Sequence, residues 1–185
     1  MTSTRAQMVA KAADLIARNG VAGTSIGDVL KAADASRGSV YHHFAGGRSE
    51  IIAEAVRFSA GRVDDGLAEA VRSSPTFIVA DIAAMWRRVL ADTEFAAGST
   101  VAAAATARDT DPAVADVAEQ HFVRWEDGLA AGLRSRGFDS ERSRSLAVTI
   151  LAAMEGAVVL CRAHQSFEPL DLVVKEISPL LTSPE

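Results

Sequence analysis

The sequence predicts an all-α protein, and three observations predict it. Alanine is frequent and runs of β-branched residues are few; prolines number 5 in 185 residues; and apolar positions recur at spacings of three and four. With 49% hydrophobic and 23% charged residues the chain lies inside the globular range and is long enough to bury a sizeable core in one or two small domains.

The first helix is expected over Thr4 to Asn19, where Met8, Ala12, Leu15 and Ile16 make one apolar stripe and Asn19-Gly20 supplies a left-handed stop. Thr24 or Ser25 caps the second helix, whose Ile26, Val29, Leu30 and Ala33 face the first. Gly27 weakens this helix by about 1 kcal/mol relative to Ala, a loss that packing is expected to offset. Asp34-Ala35 forms the turn, and Ser36 caps a short third helix running to His42. Val40 and Phe44 point inward from it, which leaves Arg37, Gly38, Ser39, Tyr41 and His42 as an exposed polar face. Gly38 costs helix stability but lets a backbone come close to a phosphate or a base edge.

A long helix restarts near Arg48, with Ile52, Val56, Ser59, Val63 and Leu67 at helical spacing, and closes at Ser73-Ser74-Pro75. Five more follow over 75–92, 99–109, 112–136, 140–165 and 169–182, with Asp111-Pro112 and Glu168-Pro169 as starts and Gly137 as a stop. Val101 to Ala105 is nearly pure alanine and can pack very closely on a neighbour. The division expected is a head at 1–47, a linking helix at 48–74 and a second domain at 75–185.

A single cysteine, Cys161, excludes an internal disulfide and any multi-cysteine metal site. No secretory signal is legible and no apolar run is expected to reach the length of a membrane span, so the expected location is cytoplasmic. The net charge of −5 is unevenly divided. Residues 1–50 hold six cationic and four anionic side chains, a balance of +2, which leaves −7 for the remainder. A mildly basic head on an acidic body suits binding to a polyanion through one end only, because phosphate attraction is screened beyond about 10 Å at ordinary salt.

Two short helical patterns and a tight turn between Thr24 and Phe44 form the layout of a helix-turn-helix DNA reader. In detail residues 1–50 resemble the DNA-binding domain of the TetR-family transcriptional regulators. The residues that carry the likeness are Asn19-Gly20, then Thr24-Ser25-Ile26, then Ser36-Arg37-Gly38-Ser39-Val40-Tyr41-His42-His43-Phe44. Gly46-Gly47-Arg48 and the pattern Ser99 to Asp109 are similar to the branch containing the lincomycin-resistance and flavonoid-responsive repressors. Departures are Asp34 at the family's turn glycine and Gly27 at an acidic position of helix two.

The resemblance implies a nine-helix, Ω-shaped homodimer in which helices one to three read double-stranded DNA, helix four transmits and the last two helices dimerise. It also implies a small-molecule effector, bound in the body, that releases the DNA. By match to the motif, Arg37 reaches a base edge or phosphate, and Ser36, Ser39, Tyr41 and His42 hold phosphates or bases and fix register. Thr24 and Arg48 are expected to clamp one phosphate each at helix N-termini. Solvated charge for Arg37, a helix-end cap for His42 and core packing for Tyr41 are the alternatives.

In the body, Phe77, Met85, Trp86, Val89, Phe95, Phe122, Trp125 and Met154 are the large side chains available to wall an effector pocket, with polar groups from Thr106, His121, Glu155 or Arg162. The same residues also suit plain core. A dimer interface is expected on the last two helices, from Ile150, Ala153, Gly156 and Ala157 on one and Val173, Val174, Ile177 and Leu181 on the other. Two such stripes can equally complete a monomer core.

No catalytic site, metal site or cofactor is expected. His42, His43, His121 and His164 lack metal-ligand spacing, and no nucleophile elbow, phosphate loop or dinucleotide fingerprint occurs. Cys161 lies on an apolar stripe, where packing is favoured over a thiol switch. The function expected is therefore a ligand-responsive transcriptional regulator, a repressor released from a palindromic operator by a small hydrophobic molecule. The alternative is a small-molecule-binding helical protein with a non-functional DNA head.

Overall fold

The computed structural model describes residues 3–72 and 75–182, with the side chains of Ser39, Tyr41, Pro75 and Thr76 outside the described set. Ser73 and Ser74, the expected close of the long helix, lie outside it too. The chain is all-α: α1 Thr4–Asn19, α2 Ile26–Ala32, α3 Arg37–His43, α4 Gly47–Arg72, α5 Pro75–Asp92, α6 Thr100–Ala105, α7 Pro112–Arg134, α8 Ser140–His164 and α9 Glu168–Ile177, then a 3-10 turn Ser178–Leu181. Two compact units form. One holds Met1–Arg62 with Ser99–His121, the other Val63–Gly98 with Phe122–Glu185, so two of the three cuts fall inside α4 and α7 and the third between Gly98 and Ser99, before α6.

In the first unit, Met8, Val9, Ala12, Ala13 and Ile16 are buried along one face of α1, each large side chain contributing about 2 kcal/mol, while Leu15 is only half-buried. Gly20 ends the helix at φ 74, ψ 173, a region essentially closed to residues with a Cβ, and not in the left-handed helical well. Ser25 builds a capping box on α2: the Asp28 N–H donates to Ser25 Oγ at 3.1 Å and the Ser25 N–H donates to Asp28 Oδ2 at 3.1 Å. Gly27 is exposed, and a Cβ there would meet only Ser25 Oγ at 3.5 Å, so no core packing offsets its cost. Asp34 takes φ 49 in the turn, as expected of an aspartate there. Val40 and Phe44 are buried.

The alanine-rich α6 packs on α1 in this same unit, burying Thr100, Val101 and Ala104. It stops at Ala105, four residues before the expected end. Thr106 Oγ1 donates to the Ala103 carbonyl at 2.9 Å, and the chain then folds back so that the Asp111 N–H donates to the Ala107 carbonyl at 2.8 Å.

In the second unit α8 packs on α5 and α9, with Leu146, Ile150, Met154, Ala157 and Cys161 inside. By length and composition α8 is apolar enough to cross a membrane, contrary to expectation, and 44% of its apolar window is buried within the protein. Its wide apolar face explains both properties. The last α-helix ends at Ile177 and tightens into the 3-10 turn, short of the expected 182; Pro179 has no N–H to continue the α-helical ladder, although Ser178 before it keeps helical dihedrals.

Candidate nucleic-acid interface

The α3 helix is held from behind. Val40 and Phe44, one turn apart, are buried, so their burial sets the rotation of the helix. Arg5 of α1 braces its C-terminal end: Nε donates to the His43 carbonyl at 3.4 Å, the guanidinium lies 4.9 Å from the Phe44 ring centroid, and Nη2 pairs with Glu54. Neither Arg5 nor Glu54 is singled out by sequence, since no local pattern pairs residues 49 positions apart.

Away from that core, Ser36, Arg37, Gly38 and His42 are exposed. Ser36 occupies the N-cap position of α3. Ser39 and Tyr41 lie on α3, with side chains outside the described set. The four exposed residues supply a guanidinium fork, a hydroxyl, an imidazole and a backbone without a Cβ, which is the chemistry that phosphates and base edges require.

Thr24 and Arg48, the two expected phosphate clamps, turn inward. Thr24 is 1% exposed and its Oγ1 donates to the Gly20 carbonyl at 2.8 Å. Arg48 donates through Nε to the Thr24 carbonyl at 3.1 Å and through Nη2 to the Val21 carbonyl at 2.5 Å. The carboxylate of Asp111, buried at the start of α7, lies 3.7 Å from Arg48 Nη1 and accepts a hydrogen bond from Ser49 Oγ at 2.7 Å. Sequence marked Asp111 only as a helix start.

The first unit as a whole carries nine cationic and nine anionic residues. The unit as a whole therefore carries no net formal positive charge.

All eight candidate effector residues fall in the second unit. Trp86, Trp125 and Met154 are buried, Met85, Val89, Phe95 and Phe122 are half-buried, and Phe77 is 60% exposed. Phe122 and Trp125 meet edge to face at 5.4 Å, and Phe95 lies 4.7 Å from Phe167, an aromatic that sequence passed over. Of the suggested polar partners, Glu155 and Arg162 share this unit, and Arg162 Nη2 donates to the Ala96 carbonyl at 3.0 Å; Thr106 and His121 belong to the other. Burial pushes the Cys161 thiol up, which keeps it protonated and unreactive at neutral pH.

Of the expected dimer residues, Ile150, Ala157, Ile177 and Leu181 are buried within the chain itself, Ala153, Val173 and Val174 are half-buried, and Gly156 is exposed. Large apolar side chains do remain exposed on the same elements: Val148, Val159 and Leu160 on α8, Leu172 on α9 and Leu180 just after it. The signal for them was the second α8 stripe, Val148, Ala152, Gly156 and Val159, at spacings of four, four and three.

A helix-turn-helix head with an exposed polar reading helix, joined to a larger helical unit, defines a DNA-binding regulator. Comparison with known proteins agrees. Residues 8–59 match the model of the bacterial regulatory proteins of the tetR family, and residues 75–176 match the LmrA/YxaF-like transcriptional regulator C-terminal domain. The HTH-type transcriptional regulator Rv0196 of Mycobacterium tuberculosis is 35% identical over 188 residues, covering 98% of this chain and 95% of that protein. The HTH-type transcriptional regulator LmrA of Bacillus subtilis is 24% identical over 172 residues, covering 90% of each. The crystal structure of a TetR transcriptional regulator from Legionella pneumophila superposes with a TM-score of 0.85 at 19% identity, covering 98% of this chain and 99% of that one. The chain belongs to the TetR family of transcriptional regulators, in the branch with LmrA and YxaF. It is a ligand-responsive, DNA-binding transcriptional regulator.

Proposed function

We propose that the protein is a cytoplasmic homodimeric repressor that leaves a palindromic operator when a small hydrophobic molecule binds. The observation that carries the reading is the exposed face of α3, Ser36, Arg37, Gly38 and His42, backed by the buried Val40 and Phe44. Ser39 and Tyr41 belong to the same face by sequence position. Two such helices, one from each protomer, enter successive major grooves about 34–36 Å apart.

The protomers pair through the outward apolar side chains of α8 and the α9 region, Val148, Val159, Leu160, Leu172 and Leu180, with Gly156 permitting close approach. In functional terms residues 1–47 read DNA, 48–74 connect, and 75–185 bind effector and dimerise. The effector binds among the aromatic and methionine side chains of the second unit, and α4 together with the 99–109 segment carries the signal. Effector must bind the DNA-free state more tightly, since equal affinity for both states shifts nothing.

The test is a mobility-shift assay on the DNA upstream of the protein's own gene, followed by thermal-shift screening of apolar small molecules and release assays with the hits. Retarded DNA that is freed by a stabilising compound supports the reading. Failure to retard that DNA or any duplex from a random pool removes it.

A further inference from the structure

We propose that Arg48 is a positioning residue that ties the DNA-reading head to the α6–α7 junction through Asp111, and not a phosphate contact. Each nitrogen of its guanidinium faces a partner within the first unit: the Thr24 carbonyl, the Val21 carbonyl and the Asp111 carboxylate. The two carbonyls belong to the turn that enters α2. That turn is already tightened by the Thr24 N–H donating to the Val21 carbonyl at 3.2 Å and by the Thr24 hydroxyl on Gly20.

Asp111 is fixed from both sides. Its N–H donates to the Ala107 carbonyl beyond α6, and its own carbonyl accepts from Val114 at 3.1 Å and Ala115 at 3.2 Å as α7 begins. Its carboxylate, 8% exposed, also receives the Ser49 hydroxyl from the first turn of α4. Displacing the α6–α7 junction therefore pulls on Arg48, and Arg48 pulls on the entry to α2. A planar fork suits this work because it holds two carbonyls and a carboxylate at fixed angles, which a lysine ammonium does not. The Asp111 carboxylate is the buried partner, at 8% exposed against 35% for Arg48, so loss of the guanidinium leaves a buried charge without its cation and the three elements are favoured to move together.

The inference rests on the chain binding DNA, and the test separates the two. A duplex selected from a random pool by the wild-type protein serves as probe, and its affinity is measured over a series of salt concentrations for Arg48→Ala, Arg48→Lys, Asp111→Asn and the double variant Arg48→Ala with Asp111→Asn. Expected are about tenfold weaker binding for Arg48→Ala with an unchanged salt slope, no rescue by Arg48→Lys, and weaker binding for Asp111→Asn. The double variant should be no weaker than Arg48→Ala alone. Amide exchange at Thr24 should quicken in Asp111→Asn, a readout that holds even if Arg48→Ala folds poorly. A salt slope reduced by about 0.9, rescue by Arg48→Lys and wild-type affinity in Asp111→Asn would overturn the proposal, because a phosphate contact behaves in that way. If the wild-type protein selects no duplex, the DNA-binding reading fails instead.

Discussion

The indole N–H of Trp125, buried on α7, donates to Oδ1 of Asp64 on α4, and Arg124 Nη1 lies 3.5 Å from the second oxygen of the same carboxylate. These contacts join the two helices within the second unit, and Arg136, in the turn just past α7, adds to them by donating to the Val71 carbonyl. Trp125→Phe removes a hydrogen bond to a charged acceptor, worth about 2 kcal/mol, and should lower Tm by about 4–8 °C at fixed protein concentration. Asp64→Asn keeps an acceptor in place and should cost less. Gly132→Ala should also destabilise, by about 1–3 kcal/mol, since the added methyl runs into the Val71 side chain. Thermal unfolding of the three variants checks the order, and a Trp125→Phe protein with wild-type Tm would show that the seam contributes nothing.

Gly38 separates stability from DNA reading. A Cβ there would meet only Ser36 Oγ at 3.8 Å, so Gly38→Ala fits the free protein and should stabilise α3 by up to about 1 kcal/mol. Operator affinity should nevertheless fall if α3 reads DNA as proposed, because a Cβ would then stand between the backbone and a phosphate or base edge. Higher Tm with unchanged affinity would take Gly38 off the reading face.

Arg37→Ala should cost about 1–3 kcal/mol of operator binding and relax preference at the base it reads, with little change in Tm because the side chain is exposed. Selection from a random pool by the variant measures both effects. An unaltered consensus at unaltered affinity would make Arg37 a solvated surface charge.

What sequence conveyed was local. The buried Met8, Ala12 and Ile16 of α1, the cap at Ser25 (one of the two residues expected), the left-handed Asp34 and the inward Val40 and Phe44 follow from spacing and from chemistry within a few residues, while Leu15 of the same stripe is only half-buried. What it did not convey was partnership at long range. Arg48 reaches carbonyls 24 and 27 residues away and a carboxylate 63 residues on, and no periodicity encodes where such a flexible side chain ends. The α8 helix misled differently. It is apolar on almost every side, so its pattern could not say which face the monomer core takes and which stays exposed. That 99–121 packs with the head likewise depends on contacts distant in sequence.

Exposed and buried apolar residues of α8 should therefore respond differently. Val159 is 61% exposed, and Val159→Glu should convert dimer to monomer while leaving the helical content intact. Ile150 is fully buried, and Ile150→Ala should lose about 2–5 kcal/mol through the cavity it leaves. Sedimentation velocity and thermal unfolding of both variants distinguish the roles. A dimeric Val159→Glu protein would place the interface elsewhere.

The capping box of α2 should show in acid titration. The Ser25 hydroxyl first, and then the Ser25 backbone N–H, hold the Asp28 carboxyl below the usual carboxylate range. A carboxylate whose folded pKa is depressed stabilises the fold above its unfolded pKa, and that contribution disappears as pH falls through the folded value. The loss therefore lies in acid, below the ordinary aspartate range, and the cap is intact throughout neutral pH. In an NMR titration, Ser25→Ala should move the Asp28 midpoint back up toward an ordinary aspartate. An unmoved midpoint would mean that the Ser25 hydroxyl is not what holds it down.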